Sequence, residues 1–364
     1  MSTYRSNLDL PGLAARLAKV RSAVVLSHAK PDGDALGSCL AMRRLLRHIG
    51  ADAAVVLVEP IDPALRSTTA DEIETIDPKA GAASVEDAMR RHELVDAIVV
   101  VDTGTFPQIE PLSDWVRSRH DRVIGIDHHA RGDESVAAHR HVDASAASTT
   151  EILAGLAEAM GAPLDGGGPG SLAEAIFMGL ATDTGWFRFP SAGAAQFSLA
   201  SRLLDAGVDK NRLYALLEQQ GRPERLEMLG RGLSSMRLVP WGGDDRRRVA
   251  VMHLDPEDFE ATGASSTDVS GLVNEPLSLA GVVASVMLSE PERGLVRMSF
   301  RSAGAAAVEP GSAACDGAAI DVNELAARFG GGGHVAAAGA RIEASMAEAV
   351  ARVVAELDRG AVDS

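Results

Sequence analysis

The sequence predicts an α/β protein of two domains, the first built on a doubly wound, mainly parallel β-sheet. Its length of 364 residues leaves room for two domains of ordinary size. Short apolar runs alternate with helical patterns through the first half of the chain, which is typical of a parallel sheet. In the second half, several strands precede the last helices, and this pattern predicts a smaller α/β domain.

Four buried strands are predicted in the first half, each followed by a polar turn or a helix. They cover residues 23–27, 53–58, 96–101 and 122–126. A helix running to Ile49 follows the first strand, and another begins after Ser148, a predicted N-cap. Since the strands of such a sheet end at the same edge, we expect the active site beyond their carboxyl ends.

The second domain is predicted to follow a long helical stretch, residues 194–236, which is broken near Gly207 and at 221–223. The elements after it are strands at 248–254, 281–288 and 295–301, a loop at 303–314, and helices at 320–329 and 345–357. The sequence therefore divides into a first domain over residues 1–205, a helical linker over 206–238 and a smaller α/β domain over 239–364.

Composition limits the classes of function. A net charge of −16 argues against a protein that slides along duplex nucleic acid, because such binding depends on basic surface. No apolar run reaches the ~18 residues that span a bilayer, and the first residues lack a signal-peptide pattern, so we expect a cytoplasmic protein without membrane contact. The two cysteines, Cys39 and Cys315, are too few for a disulfide framework or a thiolate zinc site.

Carboxylates and imidazoles follow three of the predicted strands, and one more follows an apolar helical pattern. They are His28, Asp32, Asp34, Asp102, Asp127, His128, His129 and Asp183. Any one of them alone would be an ordinary turn residue. Their shared position at the ends of parallel strands is what predicts a functional site, because their side chains can converge there.

The donor types predict divalent metal ions. Oxygen and imidazole without sulfur favour Mn²⁺ or Mg²⁺ over structural zinc, and the imidazoles favour Mn²⁺. The candidate ligands are His28, Asp32, Asp34, Asp102, His128 and Asp183. These ligands are too many for a single ion that keeps positions open for substrate. We therefore expect two ions ~3.5–4 Å apart, bridged by a carboxylate and able to polarise a phosphoryl group.

In order and spacing, these residues resemble the four motifs of the DHH phosphoesterase superfamily. The resemblance implies that Asp102 bridges two ions. It implies one ion on His28 and Asp32, and the other on Asp34, His128 and Asp183.

The same resemblance implies catalytic roles for two residues outside the ligand set. Asp127 would orient a ligand from behind. His129 would face the substrate phosphate as a hydrogen-bond donor or general acid.

A glycine run in the second half, Gly330 to Gly333 followed by His334, predicts an anion-binding loop. Glycines let the backbone N–H groups approach an anion closely, and a helix predicted after them would add a positive dipole. The stretch resembles the GGGH motif of the DHHA1 domain, and DHH with DHHA1 resembles the NrnA-type oligoribonuclease (nanoRNase) branch. This implies a nucleotide-binding role for Gly331, Gly332, Gly333 and His334.

Three further residues are candidates for substrate binding. Ser299 and Arg301 stand where members of that branch place a substrate-binding Ser/Arg pair. Arg188 is a weaker phosphate-binding candidate, and the aromatic residues around it suit a core as well as a base-stacking platform.

The resemblance implies short nucleotide substrates. Members of this branch hydrolyse short RNA, many remove the 3′-phosphate of 3′-phosphoadenosine 5′-phosphate (pAp), and some cleave cyclic di-AMP or linear pApA. We therefore expect a homodimeric, Mn²⁺-dependent phosphodiesterase that releases 5′-mononucleotides from a substrate bound between its domains.

Three alternatives remain. A DHH-type manganese pyrophosphatase shares the metal motifs but carries a different second domain with a basic Ser-Arg-Lys-Lys type run, which is absent here. A RecJ-like single-strand exonuclease is a longer, barrel-containing chain. A non-catalytic nucleotide sensor would have lost motif residues, whereas every motif position here holds a competent side chain.

Overall fold

The computed structural model describes residues 4–70, 73–164, 166, 168–303 and 320–360. The chain forms two units, residues 1–220 and 221–364, each with its own sheet and hydrophobic core. None of the described helices is long and apolar enough to cross a membrane.

The first unit contains a parallel sheet with six strands in the order β3-β2-β1-β4-β5-β6. The strands are β1 (Ser22–Leu26), β2 (Asp52–Val58), β3 (Glu74–Ile76), β4 (Ala97–Val101), β5 (Val123–Asp127) and β6 (His139–Val142). This order confirms the predicted doubly wound sheet, with its topological switch point between β1 and β4. The short edge strands β3 and β6 were not predicted.

Helices cover this sheet on both faces. They are α1 (Leu10–Leu17), α2 (Gly33–His48), α3 (Pro63–Arg66), α4 (Ala82–Arg91), α5 (Ser113–Arg117), α6 (Thr149–Met160), α7 (Leu172–Asp183), α8 (Ala194–Asp205) and α9 (Lys210–Glu218). Val25 of β1 joins the core beneath α2, α6 and α7, while its neighbours Val24 and Leu26 join the core on the opposite face. Burial on both faces explains why the strands are continuous apolar runs rather than alternating ones.

Two predicted helix boundaries are confirmed. Ser148 caps α6 by accepting a hydrogen bond from the Glu151 amide. The stretch 194–236 is three helices, α8, α9 and α10 (Pro223–Ser235), interrupted at 206–209 and at 219–222, close to the predicted breaks at Gly207 and 221–223. Since α9 lies in the first unit and α10 in the second, the linker and domain bounds drawn from the sequence stay a prediction.

The second unit contains a mixed sheet with six strands in the order β11-β12-β10-β9-β8-β7. The strands are β7 (Arg237–Trp241), β8 (Asp244–Leu254), β9 (Val282–Glu292), β10 (Leu295–Ser302), β11 (Gly332–His334) and β12 (Ala337–Glu343). All neighbours pair antiparallel except β8 and β9, which are parallel. The helices after α10 are α11 (Pro256–Thr262), α12 (Val322–Ala327) and α13 (Met346–Arg359).

The prediction of a helix after the glycine run is wrong, because residues 337–343 form strand β12. Its alternating burial, with Ala338, Ala340 and Ile342 buried, is the period of a strand, which the small residues concealed. A helix dipole behind the glycines is therefore excluded. Most of the predicted loop 303–314 lies outside the described residues.

Candidate metal centre

The predicted ligands of the first unit come together at the carboxyl edge of its sheet. His28, Asp102 and His128 follow the neighbouring strands β1, β4 and β5. The close groups are His28 with Asp32 and Asp102, Asp34 with His128 and Asp183, and Asp102 with His128 and His129, each having potential ligand atoms within 4.8 Å of one another.

Asp102 lies at the middle of this cluster. Its Oδ2 is 3.6 Å from Nε2 of His28, and its Oδ1 is 3.6 Å from Nε2 of His128. The Thr149 hydroxyl donates a hydrogen bond to Oδ1 at 3.0 Å. Asp102 is 2% exposed and has a φ of 60°, a left-handed conformation that is uncommon outside glycine. One carboxylate oxygen therefore faces each histidine, as a bridging ligand requires.

Both histidines present the same ring nitrogen to the carboxylates. Nδ1 of His28 is 3.0 Å from the Ala29 carbonyl, and Nδ1 of His128 is 3.3 Å from the Ala146 carbonyl. Because a carbonyl oxygen only accepts, these contacts place a proton on Nδ1, and Nε2 is the nitrogen directed at the carboxylates. A backbone partner that fixes the tautomer in this way is the usual arrangement for metal-binding histidine.

The second group of ligands is fixed by a helix terminus. Asp34 is fully buried, and its two oxygens accept hydrogen bonds from the amides of Thr149 at 2.6 Å and Thr150 at 3.0 Å, at the start of α6. His128 Nε2 lies 3.3 Å from Oδ2 of Asp183, the last residue of α7. The sequence identified the start of α6 but gave no sign that its amides point at Asp34.

The buried carboxylates of this cluster have raised pKa values. Burial, followed by repulsion from Asp34 and Asp32, raises the pKa of Asp102 well above its usual range. The same causes in the same order raise the pKa of Asp183 to about 8. A bound cation would remove this repulsion. Together with a donor set of carboxylates and imidazoles, it shows that these residues fit divalent metal ions.

Asp127 and His129 form a pair beside the ligands. Asp127 is 0% exposed, and its Oδ1 accepts hydrogen bonds from the backbone N–H of His129 at 3.1 Å and from its Nδ1 at 2.7 Å. The His129 side chain is half-exposed, and its Nδ1 is 4.0 Å from Asp102. The shorter contact engages Nδ1 with Asp127, which leaves Nε2 without a hydrogen-bond partner among the described residues.

Sequence reasoning missed one residue at this site. The Tyr4 hydroxyl donates a hydrogen bond to Oδ2 of Asp127 at 3.0 Å. Burial, and then the Asp127 carboxylate, raise the pKa of Tyr4, so the phenol stays protonated and acts as a donor. Tyr4 stands in no motif and more than a hundred residues before its partner, so the sequence carries no signal for this contact.

In the second unit, the register brings the predicted substrate-binding residues onto neighbouring strands. Ser299 of β10 pairs with Gly339 of β12, which pairs with Gly332 of β11. Two residues further along these strands, Arg301 of β10 pairs with Ala337 of β12, which pairs with His334 of β11. Ser299 and Arg301 therefore share the face of β10 opposite the buried Phe300.

Two details of this face concern Arg301 and His334. Burial lowers the pKa of Arg301, and its Nη1 donates to the Phe300 carbonyl at 2.9 Å. The side chain of His334 lies outside the part of the chain that the structure describes.

The glycines of this face have separable reasons to be glycine. A Cβ on Gly331 would overlap the Gly339 carbonyl, and one on Gly333 would lie 2.5 Å from the Ala337 carbonyl oxygen. A Cβ on Gly332 would meet nothing closer than the Asn323 Oδ1 at 3.6 Å. Close packing against β12 thus explains Gly331 and Gly333 but not Gly332.

Arg188 lies in an exposed turn after α7. Its Nε donates to the Gly185 carbonyl at 2.7 Å. Trp186 and Phe187 have φ values of 56° and 63°, and their rings lie 6.5 Å and 5.9 Å from that of Phe177. These two aromatic side chains pack against the hydrophobic core, as one of the two interpretations of the sequence expected, whereas Phe189 is exposed.

Family models match both units. The DHH family, N-terminal domain, matches residues 22–180, and the DHHA1 domain matches residues 248–361.

Individual relatives cover most of the chain. A bifunctional oligoribonuclease and PAP phosphatase NrnA from Thermus thermophilus is 30% identical over 325 residues, 88% of this chain and 83% of the relative. A cyclic-di-AMP phosphodiesterase GdpP from Geobacillus thermodenitrificans is 24% identical over 347 residues, 93% of this chain but 47% of the relative. The crystal structure of an exopolyphosphatase-related protein from Bacteroides fragilis matches with a TM-score of 0.80 and 26% identity, covering 96% of each chain.

Proposed function

The chain belongs to the DHH/DHHA1 phosphoesterase family and is a hydrolase acting on phosphoester bonds; on this premise we propose that it is a two-metal, Mn²⁺-dependent phosphodiesterase. Its proposed substrates are short RNA and the dinucleotides pApA and cyclic di-AMP, cleaved to 5′-mononucleotides, and pAp, which loses its 3′-phosphate. A cytoplasmic location and a homodimeric state stay predictions.

One observation carries the proposal of two ions: the two oxygens of Asp102 face different histidines, each 3.6 Å away. In this assignment, His28 and Asp32 would hold one ion, and Asp34, His128 and Asp183 would hold the other. When bound, such ions polarise a phosphoryl group and lower the pKa of a water molecule.

The chain's own side chains position the substrate and move a proton. The contact of Nδ1 with Asp127 leaves Nε2 of His129 on the half-exposed side of the ring. From there, a protonated ring donates to a phosphate oxygen or to the leaving oxygen, where negative charge develops. Asp127 keeps the imidazole oriented and stabilises its protonated form.

The face formed by β10, β12 and β11 is the proposed nucleotide-binding surface. Arg301 supplies a guanidinium for a phosphate, and Ser299 on the same face supplies a hydroxyl. The backbone of Gly332 offers room for close approach, because nothing within 3.6 Å occupies the place of its missing Cβ. Gly331, Gly333 and His334 complete this segment, and Arg188 of the first unit is a further phosphate-binding candidate.

The relatives and the second unit support nucleotides over pyrophosphate as substrate. The relatives are named for oligoribonuclease, PAP phosphatase and cyclic-di-AMP phosphodiesterase activities. The second unit matches the DHHA1 domain, and the basic Ser-Arg-Lys-Lys type run expected of the pyrophosphatase branch is absent from the sequence.

A substrate panel tests this proposal. Purified protein with Mn²⁺ is offered short RNA, pApA, cyclic di-AMP, pAp and pyrophosphate, and a parallel series uses Mg²⁺. We expect turnover of the nucleotides, with higher rates in Mn²⁺. Hydrolysis of pyrophosphate alone would overturn the nucleotide assignment.

A further inference from the structure

The segment before α1 lies along the edge of the first sheet. The amides of Asn7 and Leu8 donate to the Arg140 carbonyl, each at 3.0 Å, and the Asn7 side chain accepts from the Arg140 amide at 2.7 Å. The Ser6 hydroxyl donates to the Val142 carbonyl at 2.8 Å. These contacts cover the open edge of β6 and fix the position of the residue that precedes them.

That residue, Tyr4, is seated in a slot made by two glycines. A Cβ on Gly104 would overlap the Tyr4 hydroxyl, and a Cβ on Gly132 would lie 2.7 Å from its ring. Gly104 comes two residues after Asp102, and Gly132 three residues after His129. The slot therefore lies between two polar segments of the candidate metal centre, and it admits a flat ring because neither position carries a side chain.

The hydroxyl of Tyr4 completes a chain of three side chains. It donates to Oδ2 of Asp127 at 3.0 Å, while Oδ1 accepts from Nδ1 and from the backbone amide of His129. Asp127 is 0% exposed, so protein donors must satisfy both of its oxygens. Without the phenol, Oδ2 would lose its one protein donor among the described residues, and the carboxylate could turn away from His129.

We propose that Tyr4 is a positioning residue, whose hydroxyl holds Asp127 so that His129 keeps its proton on Nδ1 and presents Nε2 to the substrate. This rests on the proposed function, in which His129 acts on the phosphate. The competing explanation is that Tyr4 only anchors residues 5–8 to the sheet.

Kinetics separate the two roles. Tyr4→Phe removes the hydroxyl and keeps the ring that fills the slot, so the fold is expected to persist. We expect kcat to fall about 10-fold while KM and the Mn²⁺ concentration for half-maximal activity change less than about 2-fold. Tyr214, the other of the two tyrosines, supplies the control, because Tyr214→Phe removes a hydroxyl from the exposed surface of α9 and should leave kcat unchanged.

A double-mutant cycle tests the route through His129. In a His129→Ala background, Tyr4→Phe should have no further effect on kcat, because the side chain through which it acts is gone. If Tyr4→Phe lowered kcat by about 10-fold in both the wild-type and the His129→Ala backgrounds, the proposal would be overturned. A change in the Mn²⁺ requirement with no change in kcat would overturn it too.

A measurement without substrate or metal keeps this inference separable from the proposed function. Long-range ¹H–¹⁵N spectra of the metal-free protein at alkaline pH report the tautomer of His129, assigned by its loss in His129→Ala. We expect protonation at Nδ1 in the wild type and a mixture of tautomers in Tyr4→Phe. An unchanged tautomer would contradict the role of Tyr4, whereas a shifted tautomer in a protein that cleaves none of the panel would contradict only the proposed function.

Discussion

The carboxyl edge of the first sheet and strand β10 of the second sheet differ in how deeply their charged side chains are buried. At the edge of the first, Asp34, Asp102 and Asp127 are at most 2% exposed. In β10 of the second, the buried side chains are apolar, such as Met298 and Phe300, while Ser299 and Arg301 remain at least partly exposed.

This difference teaches how each region depends on its ligands. Buried carboxylates that repel one another are held in place by the fold and need a cation to become stable. Partly exposed side chains lose less when one partner is removed, because water replaces the missing contact. Substitutions in the first region should therefore abolish activity, and substitutions in the second should weaken substrate binding by a moderate amount.

The largest expected effect is that of Asp102→Ala. Because this carboxylate faces both histidines, its loss should lower kcat by at least about 10³-fold on every substrate of the panel. Steady-state kinetics with Mn²⁺ measure this. Asp205→Ala, at the exposed end of α8, is the control and should keep full activity. Retention of more than about a few per cent of activity in Asp102→Ala would contradict the bridging role.

A smaller effect is expected from Arg301→Ala. Loss of a charged hydrogen bond to phosphate should raise KM for pApA about 10-fold and leave kcat within about 3-fold of wild type. Arg237→Ala, on the exposed edge strand β7 of the same sheet, should change neither constant. If Arg301→Ala left KM unchanged, the second region would not be the nucleotide-binding surface.

Two adjacent glycines allow an effect on packing to be compared with an effect on substrate binding. Gly331→Ala should destabilise the second unit, because the new Cβ overlaps the Gly339 carbonyl. The Cβ of Gly332→Ala meets no close neighbour, so the melting temperature should be unchanged. The same Cβ should obstruct the approach of a phosphate and raise KM about 3-fold. Thermal melts and kinetics on both variants test this, and equal melting temperatures would show that the packing argument is wrong.

The smallest effect concerns the pH dependence of stability without metal. In the folded protein the pKa of Asp183 is raised to about 8, so the folded state holds a proton that the unfolded state has released. Stability should therefore be greatest at acidic pH and fall as pH rises towards 8, by about a few °C in melting temperature. Saturating Mn²⁺ should abolish this fall, and Asp183→Asn in chelator should reduce it without removing it, because the pKa of Asp102 is raised as well. A metal-free melting temperature that rises over the same range would contradict the assigned shift.

Much of the fold follows from the sequence, because continuous apolar runs mark strands that are buried on both faces. The short edge strands β3 and β6 escaped this signal, as their residues are mostly half-exposed and the strands are 3 and 4 residues long. Strand β12 was mistaken for a helix because alanine and glycine hide its alternating burial.

The site divides in the same way. The convergence of His28, Asp102 and His128 could be predicted, because it follows from the rule that parallel strands end at one edge. The contacts of Tyr4 with Asp127, and of the Thr149 amide with Asp34, could not. They join segments more than a hundred residues apart and use groups that carry no motif.

The measurement that tests the central claim most directly is an EPR titration of the metal-free protein with Mn²⁺. A carboxylate shared between two ions should give two Mn²⁺ per chain and an exchange-coupled spectrum, as expected for ions ~3.5–4 Å apart, and Asp102→Asn should lose the coupling. A single bound Mn²⁺ per chain, or two Mn²⁺ ions whose spectra show no exchange coupling, would contradict the bridging role of Asp102.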